Sequence, residues 1–180
     1  MIYGNRIRLR ANERTDLSLF TRWLNDPEVR EHISHTLPFS LALEEQWFEN
    51  MLKRPREEHP LGIEIQSGED WKLIGNTGLF DFDWHVRSAE LGILIGEKTC
   101  WDKGYGTETM RLVLKHGFET LNLNRIYLRV HATNGRGIRV YEKVAFVHEG
   151  SLRQAVYREG QYQDMLLMSI LREEWDAAKV

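Results

Sequence analysis

The chain has 180 residues, with 24 Lys and Arg against 27 Asp and Glu, seven His and one Cys. That length suits a single core, and 42% apolar residues can fill it, which excludes wholesale disorder. A net charge of −3 without a basic stripe excludes binding driven by phosphate neutralisation; one cysteine excludes an internal disulfide or a CxxC zinc site; and no apolar run approaches the ~18 residues of a membrane span.

The first residues lack an uninterrupted apolar stretch, so no signal peptide is expected and the compartment is the cytoplasm. Residues 6–11 alternate, with Ile7, Leu9 and Ala11 on one face and Arg6, Arg8 and Arg10 on the other, as in a half-buried strand. Leu17, Phe20, Trp23 and Leu24 then recur at helical spacing up to Asn25-Asp26-Pro27, because proline disfavours helix in the residue before it. Asp26 caps a short segment reaching about residue 32, with Pro27 at its first position. His32 and His35 lack a third or fourth ligand pattern and read as solvated surface. Ser40 caps a further helix carrying Leu43, Trp47, Phe48, Met51 and Leu52, which Pro55 ends.

From Leu61 the period changes. Leu61, Ile63 and Ile65 alternate, residues 67–70 read as a turn, a second strand runs over 73–82, and Ala89, Leu91, Ile93 and Ile95 alternate again. Three strands with short links predict an antiparallel meander. Beyond the loop 96–105, Met110, Val113, Leu114, Gly117, Phe118 and Leu121 form one apolar helical stripe. A strand over 125–133 sets Ile126, Leu128, Val130 and Ala132 on one face, and a short helix over about 136–144 carries Ile138, Tyr141 and Val144. Strands 147–157 and 162–171 close the chain as a hairpin. No repeat or linker interrupts this order. It predicts an α+β class, with a single mixed, mostly antiparallel sheet and helices on both faces, in one domain over 1–180.

The informative segment is 97–107, where Gly104 and Gly106 lie between a strand and an amphipathic helix. Glycine permits close backbone approach, and the first N–H groups of a helix are unpaired at the positive end of its dipole. Together these make an anion site suited to phosphate, to which Lys103 adds charge. The same glycines also suit an ordinary tight turn, and the residues alone leave both readings open. A dinucleotide fingerprint needs a third glycine where Thr109 stands, and an acidic residue where the chain reads Leu123-Asn124-Arg125; the P-loop pattern is absent.

Asp102-Lys103-Gly104-Tyr105-Gly106, between a strand and a helix, resembles the acyl-CoA pyrophosphate loop of the GNAT N-acetyltransferases. Asn134 and Tyr141, seven apart and followed by Phe146, resemble that family's downstream motif. The stretches Arg6-Ile7-Arg8-Leu9-Arg10 and Asn25-Asp26-Pro27-Glu28-Val29 resemble the branch of ribosomal-protein N-terminal acetyltransferases. Three positions depart from the pattern: Trp101 stands where the family has Gln or Arg, Gly137 replaces a small Ala or Ser, and Ala145 replaces a Gly.

The resemblance implies a GNAT-like acyltransferase fold. It also implies direct acetyl transfer from acetyl-CoA, without a metal, to a primary amine that is either a peptide N-terminus or a small molecule. Tyr141 would be the general acid for the leaving thiolate, and Glu90, fourteen residues before Gly104, the base, with Asp81, Asp83 or a water chain as rivals. Ile93, Leu94 and Ile95 would offer backbone to the pantetheine arm, while Trp101, Lys103, Gly104, Tyr105, Gly106 and Thr107 would hold the pyrophosphate. Asn134 would bond the arm or cap its helix, and Cys100, with no His partner evident, has no nucleophilic role. Residues 26–58, with Glu28, Glu31, Glu44, Glu45 and Glu49, would form one wall of the acceptor groove and attract a cationic amine. Neither nucleic acid nor membrane is an expected partner, and a homodimer is. The alternative is a non-catalytic acyl-CoA-binding regulatory module; a dinucleotide-dependent reductase stands third.

Overall fold

Eight strands form one sheet in this computed structural model, which describes residues 1–33 and 37–178. They are β1 (Ile2–Tyr3), β2 (Ile7–Ala11), β3 (Leu61–Ser67), β4 (Asp70–Asp83), β5 (Ser88–Ile95), β6 (Arg125–His131), β7 (Val147–Arg158) and β8 (Gln161–Leu171). The spatial order is β1-β2-β3-β4-β5-β6-β8-β7. Every neighbouring pair is antiparallel except β5 and β6, which run parallel. The helices are α1 (Leu17–Asn25), α2 (Leu41–Met51), α3 (Tyr105–Lys115), α4 (Gly135–Lys143) and α5 (Arg172–Ala177).

Strand alternation divides the core in two. Successive side chains of a strand point to opposite faces. On β4, Leu73 joins Leu17, Phe20, Trp23, Phe48 and Met51 under α1 and α2. Its neighbour Ile74 joins Ile7, Leu9, Ile63, Met110, Leu114 and Phe118 under α3. Helices therefore cover both faces, as the order of elements predicts. None of the helices among the described residues is long and apolar enough to cross a membrane.

Several details differ from the sequence expectation, among them the short β1 and the end of α3 at Lys115, after which residues 116–120 form a π-helical turn. Leu43 on α2 and Leu52 just past its end are exposed, while Glu44, Phe48 and Met51 face inward. Packing against α1 selects that stripe, and burial pushes the Glu44 carboxyl above its usual range. Strand β6 ends at His131, leaving Ala132 exposed. The chain also adds α5 after β8, and the Glu174 carboxylate accepts the Leu171 N–H at 2.8 Å.

The feature that matters for function is where the parallel pair stops. β5 and β6 are in register only at Ser88↔Arg125, Ala89↔Ile126 and Glu90↔Tyr127. Beyond Glu90, β5 stays paired with β4 as far as Gly75↔Ile95, and no longer with β6. The sheet splays there, and the edges of two central strands are left without their ladder partners.

Candidate active site

The splay opens a cavity of about 660 Å³. Residues 91–95 of β5 and 129–131 of β6 line it, with the segment Glu28 to Ile33 from the chain after α1. Gly104, Tyr105, Gly106 and Thr107 line it too, as do Asn134 and Tyr141 of the α4 region.

Gly104 is the N-cap of α3 at φ +83, a left-handed conformation that favours glycine. The Gly104 carbonyl accepts the Glu108 N–H at 3.1 Å, so the N–H groups of Tyr105, Gly106 and Thr107 precede the first intrahelical bond. A Cβ placed on Gly106 would meet nothing nearer than Val140, at 3.9 Å. Backbone donors, the positive end of an eleven-residue helix and open space above Gly106 fit a pyrophosphate. Positive charge at this end comes from Arg136, Arg139 and Lys143, which line the cavity. Lys103 is exposed and does not line it; its carbonyl accepts from Arg6 Nη1 at 3.0 Å.

Trp101, which stands where the motif it resembles has Gln or Arg, has a structural task. Its Nε1 donates to the Ile95 carbonyl at 2.8 Å, and its ring lies under the Arg136 guanidinium, 4.3 Å from the centroid. Ile95 therefore has its carbonyl occupied, while Ile93 and Leu94 line the open part of the cleft beside it. Asn134 caps α4, its Oδ1 accepting the Gly137 N–H at 2.9 Å.

Tyr141 lines the cavity and packs on Phe146 with ring centroids 6.0 Å apart. Burial pushes its phenol up to about 12, so it keeps its proton at neutral pH. Cys100 is a buried free thiol on the cavity lining. Glu90 is buried but lies off the lining, and both its oxygens accept from Arg129, Nε at 2.9 Å and Nη2 at 2.8 Å. Asp81 and Asp83 are exposed and also off the lining; Asp83 accepts the backbone N–H groups of His85 and Val86.

Of the five glutamates expected in the acceptor wall, Glu28 and Glu31 line the cavity. Lys98 Nζ sits 2.5 Å from Glu28 and 2.8 Å from Asp26. Glu44 is buried on α2, and Glu49 pairs with Arg14.

Sequence reasoning missed His131. It is 3% exposed, lines the cavity, and neither ring nitrogen has a hydrogen-bond partner among the described residues. His32 meets it edge to face with ring centroids 6.0 Å apart. His32 is thus partly buried rather than solvated; His35 lies outside the described residues. Burial holds both imidazoles below the ordinary 6.5. Arg158, from the β7–β8 turn, donates to the carbonyls of Arg30 at 2.8 Å, Glu31 at 2.5 Å and Ile33 at 3.4 Å, tethering the His32 segment over the cleft. The alternation that points Val130 inward turns His131 to the other face, whose cover comes from residues far away in sequence. No group of three or more metal-ligating side chains occurs among the described residues.

Residues 6–147 match the family described as Acetyltransferase (GNAT) domain. The chain is 29% identical over 177 residues to an uncharacterized N-acetyltransferase of Bacillus licheniformis, covering 97% of each chain. It is 35% identical over 103 residues to the spermidine N(1)-acetyltransferase of Vibrio cholerae, covering 57% of this chain and 59% of that one. Among solved structures, the spermidine N-acetyltransferase from Vibrio cholerae in complex with CoA and spermine superposes with a TM-score of 0.87 at 28% identity, covering 96% of this chain and 99% of that one.

Proposed function

The chain belongs to the GNAT acetyltransferase family, and on that premise we propose that it is one acetyltransferase domain over 1–180 moving acetyl from acetyl-CoA directly onto a small cationic amine. The observation that supports this reading most is the splay of β5 from β6, whose cavity is lined both by the Gly104–Gly106 helix start and by Glu28 and Glu31.

The residues fit the cosubstrate. The α3 N-terminus, with Arg136, Arg139 and Lys143 nearby, suits the pyrophosphate. The released edge of β5 at Ile93 offers backbone groups to an amide-bearing arm, and its N–H would polarise the thioester carbonyl, while Leu94 lines the cleft with its carbonyl turned to Gly75 of β4. We assign Tyr141 as the general acid: its raised pKa keeps the phenol protonated until a thiolate develops beside it. Glu90 anchors Arg129 rather than receiving the amine proton, because its carboxylate already accepts two guanidinium hydrogen bonds.

For the acceptor, Glu31 and the Lys98-paired Glu28 put acidic groups on the cavity lining, and the similar Vibrio cholerae enzymes are named for spermidine. A screen of polyamines, monoamines and short peptides, read as release of the CoA thiol, tests the assignment. Release is expected with polyamines and small amines. Release with peptides alone would overturn the small-amine acceptor. Acetyl-CoA binding without release to any acceptor would restore the non-catalytic module.

A further inference from the structure

We propose that His131, held edge to face against His32, is the catalytic base that takes the proton from the attacking amine. The proposal rests on the acetyltransferase reading above and names a residue for its unassigned step.

The case is geometric. His131 is the last residue of β6, on the strand edge that the splay releases, and it lines the same cavity as Tyr141. It is 3% exposed, yet both ring nitrogens lack a partner among the described residues. Leaving a buried polar group unsatisfied costs free energy, so its retention here needs a reason such as an incoming proton donor. The carboxylate rivals are engaged or outside: Glu90 is held by Arg129, and Asp81 and Asp83 are exposed away from the cleft.

The electrostatics agree with a neutral acceptor. Burial first, then His32 and Arg158, lower the His131 pKa, so the ring is uncharged at neutral pH. The other groups facing the pair are Glu31 on the His32 segment, Arg136 of α4, and Arg129 two residues back on β6, whose charge Glu90 balances. Asp164 of β8, whose carbonyl accepts the Ala132 N–H, turns its carboxylate to Ser151 and the Gln154 N–H instead.

The step balances. The amine lone pair forms the C–N bond to the thioester carbonyl carbon, and the amine nitrogen becomes acidic as it does so. One N–H proton passes to a free ring nitrogen of His131. The C–S bond breaks with its electron pair on sulfur, which takes the Tyr141 proton. Imidazolium and phenolate then return to their resting states by proton exchange with solvent. The net products are an amide and a thiol.

The test uses acetyl-CoA and the best amine from the screen. His131→Gln is expected to lower kcat by roughly 10²–10⁴-fold, the range for a general base, with acetyl-CoA affinity by calorimetry and melting temperature little changed. Free imidazole is expected to restore part of the rate in His131→Ala, a rescue that a merely structural residue would not show. In the wild type, kcat/KM is expected to fall more steeply below a pH under 6.5, where the lowered His131 pKa lies, and the break should coincide with the pKa from an NMR titration of that ring. This last measurement needs no variant to fold. An active wild type with an undiminished His131→Gln, or a break that does not match the ring, would overturn this inference alone. Wild-type silence toward every acceptor would overturn the acetyltransferase reading on which it rests.

Discussion

The two loop glycines do different jobs, and valine substitutions separate them. Gly104 sits at φ +83, where an L side chain is strained, and its Cβ would also come 3.2 Å from Arg6 Nη2. A left-handed L residue costs roughly 1–2 kcal/mol. At about 2–4 °C per kcal/mol for a domain of this size, Gly104→Val should lower the melting temperature by about 2–8 °C. Gly106 lies in the first turn of α3 with nothing within 3.9 Å of its Cβ site, so Gly106→Val should leave the melting temperature within about 2 °C. Its side chain would instead fill the space that a pyrophosphate needs. A hydrogen bond to a charged group is worth roughly 1.5–3 kcal/mol, so losing one N–H contact should weaken acetyl-CoA binding about 10- to 150-fold. Calorimetric titration beside thermal melting reads both effects. A folded Gly106→Val with an unchanged acetyl-CoA Kd would place the pyrophosphate elsewhere, and an unchanged melting temperature in Gly104→Val would refute the strain argument.

Tyr141→Phe should lower kcat by roughly 10²–10⁴-fold while acetyl-CoA affinity holds, since the hydroxyl acts mainly as the thiolate forms. With the phenol pushed up to about 12, the wild-type rate should show no alkaline loss near the ordinary tyrosine value of 10.0. The Arg125 hydrogen bond, helped by Ser169, holds the Glu149 carboxyl down at about 2. Its stabilisation is therefore present above the ordinary 4.5 and is lost as pH falls through about 2; melting curves of Glu149→Gln should show a shallower decline over that window than the wild type. A Cβ on Gly75 would lie 2.0 Å from the Leu94 carbonyl oxygen, so Gly75→Ala must displace β5, costing roughly 1–3 kcal/mol and weakening acetyl-CoA binding; an unaltered melting temperature and Kd would contradict this.

Local pattern made much of the molecule legible. The period-two runs give β2 to β6 within a few residues, and the stripe from Met110 to Leu121 gives α3, although the α-helix ends at Lys115 and residues 116–120 continue as a π-helical turn, because each face is decided by neighbours two to four positions away. The Gly104 loop was readable for the same reason, since a helix start and its glycines are contiguous. What escaped is set by tertiary contact. Glu44 is expected in the acceptor wall, yet it is buried on α2 because α1 chooses which stripe faces inward. Lys103 is expected at the phosphate by proximity; it lies off the cavity lining, which takes Arg129 from β6 and Arg136, Arg139 and Lys143 from α4, some thirty residues on. His131 carries no local signal, because what packs over it is the His32 segment, which Arg158 from the last hairpin tethers.

Two contacts bracket the splay along β5. At Gly75 the strand lies so close to β4 that a Cβ would meet the Leu94 carbonyl oxygen at 2.0 Å, and there it no longer pairs with β6. At Glu90, the last position in register with β6, the carboxylate grips Arg129 two residues beyond its own partner Tyr127. That pair clamps the vertex of the splay. The clamp explains why Glu90 is buried and fully engaged, and it fixes what can happen beyond it. Moving outward along the same face, β5 offers Gly92 and Leu94, which cannot take a proton, and β6 offers His131. On that face of the two parting strands beyond the clamp, therefore, the first titratable side chain without a partner among the described residues is the buried imidazole, with the Tyr141 phenol on the lining of the same cavity.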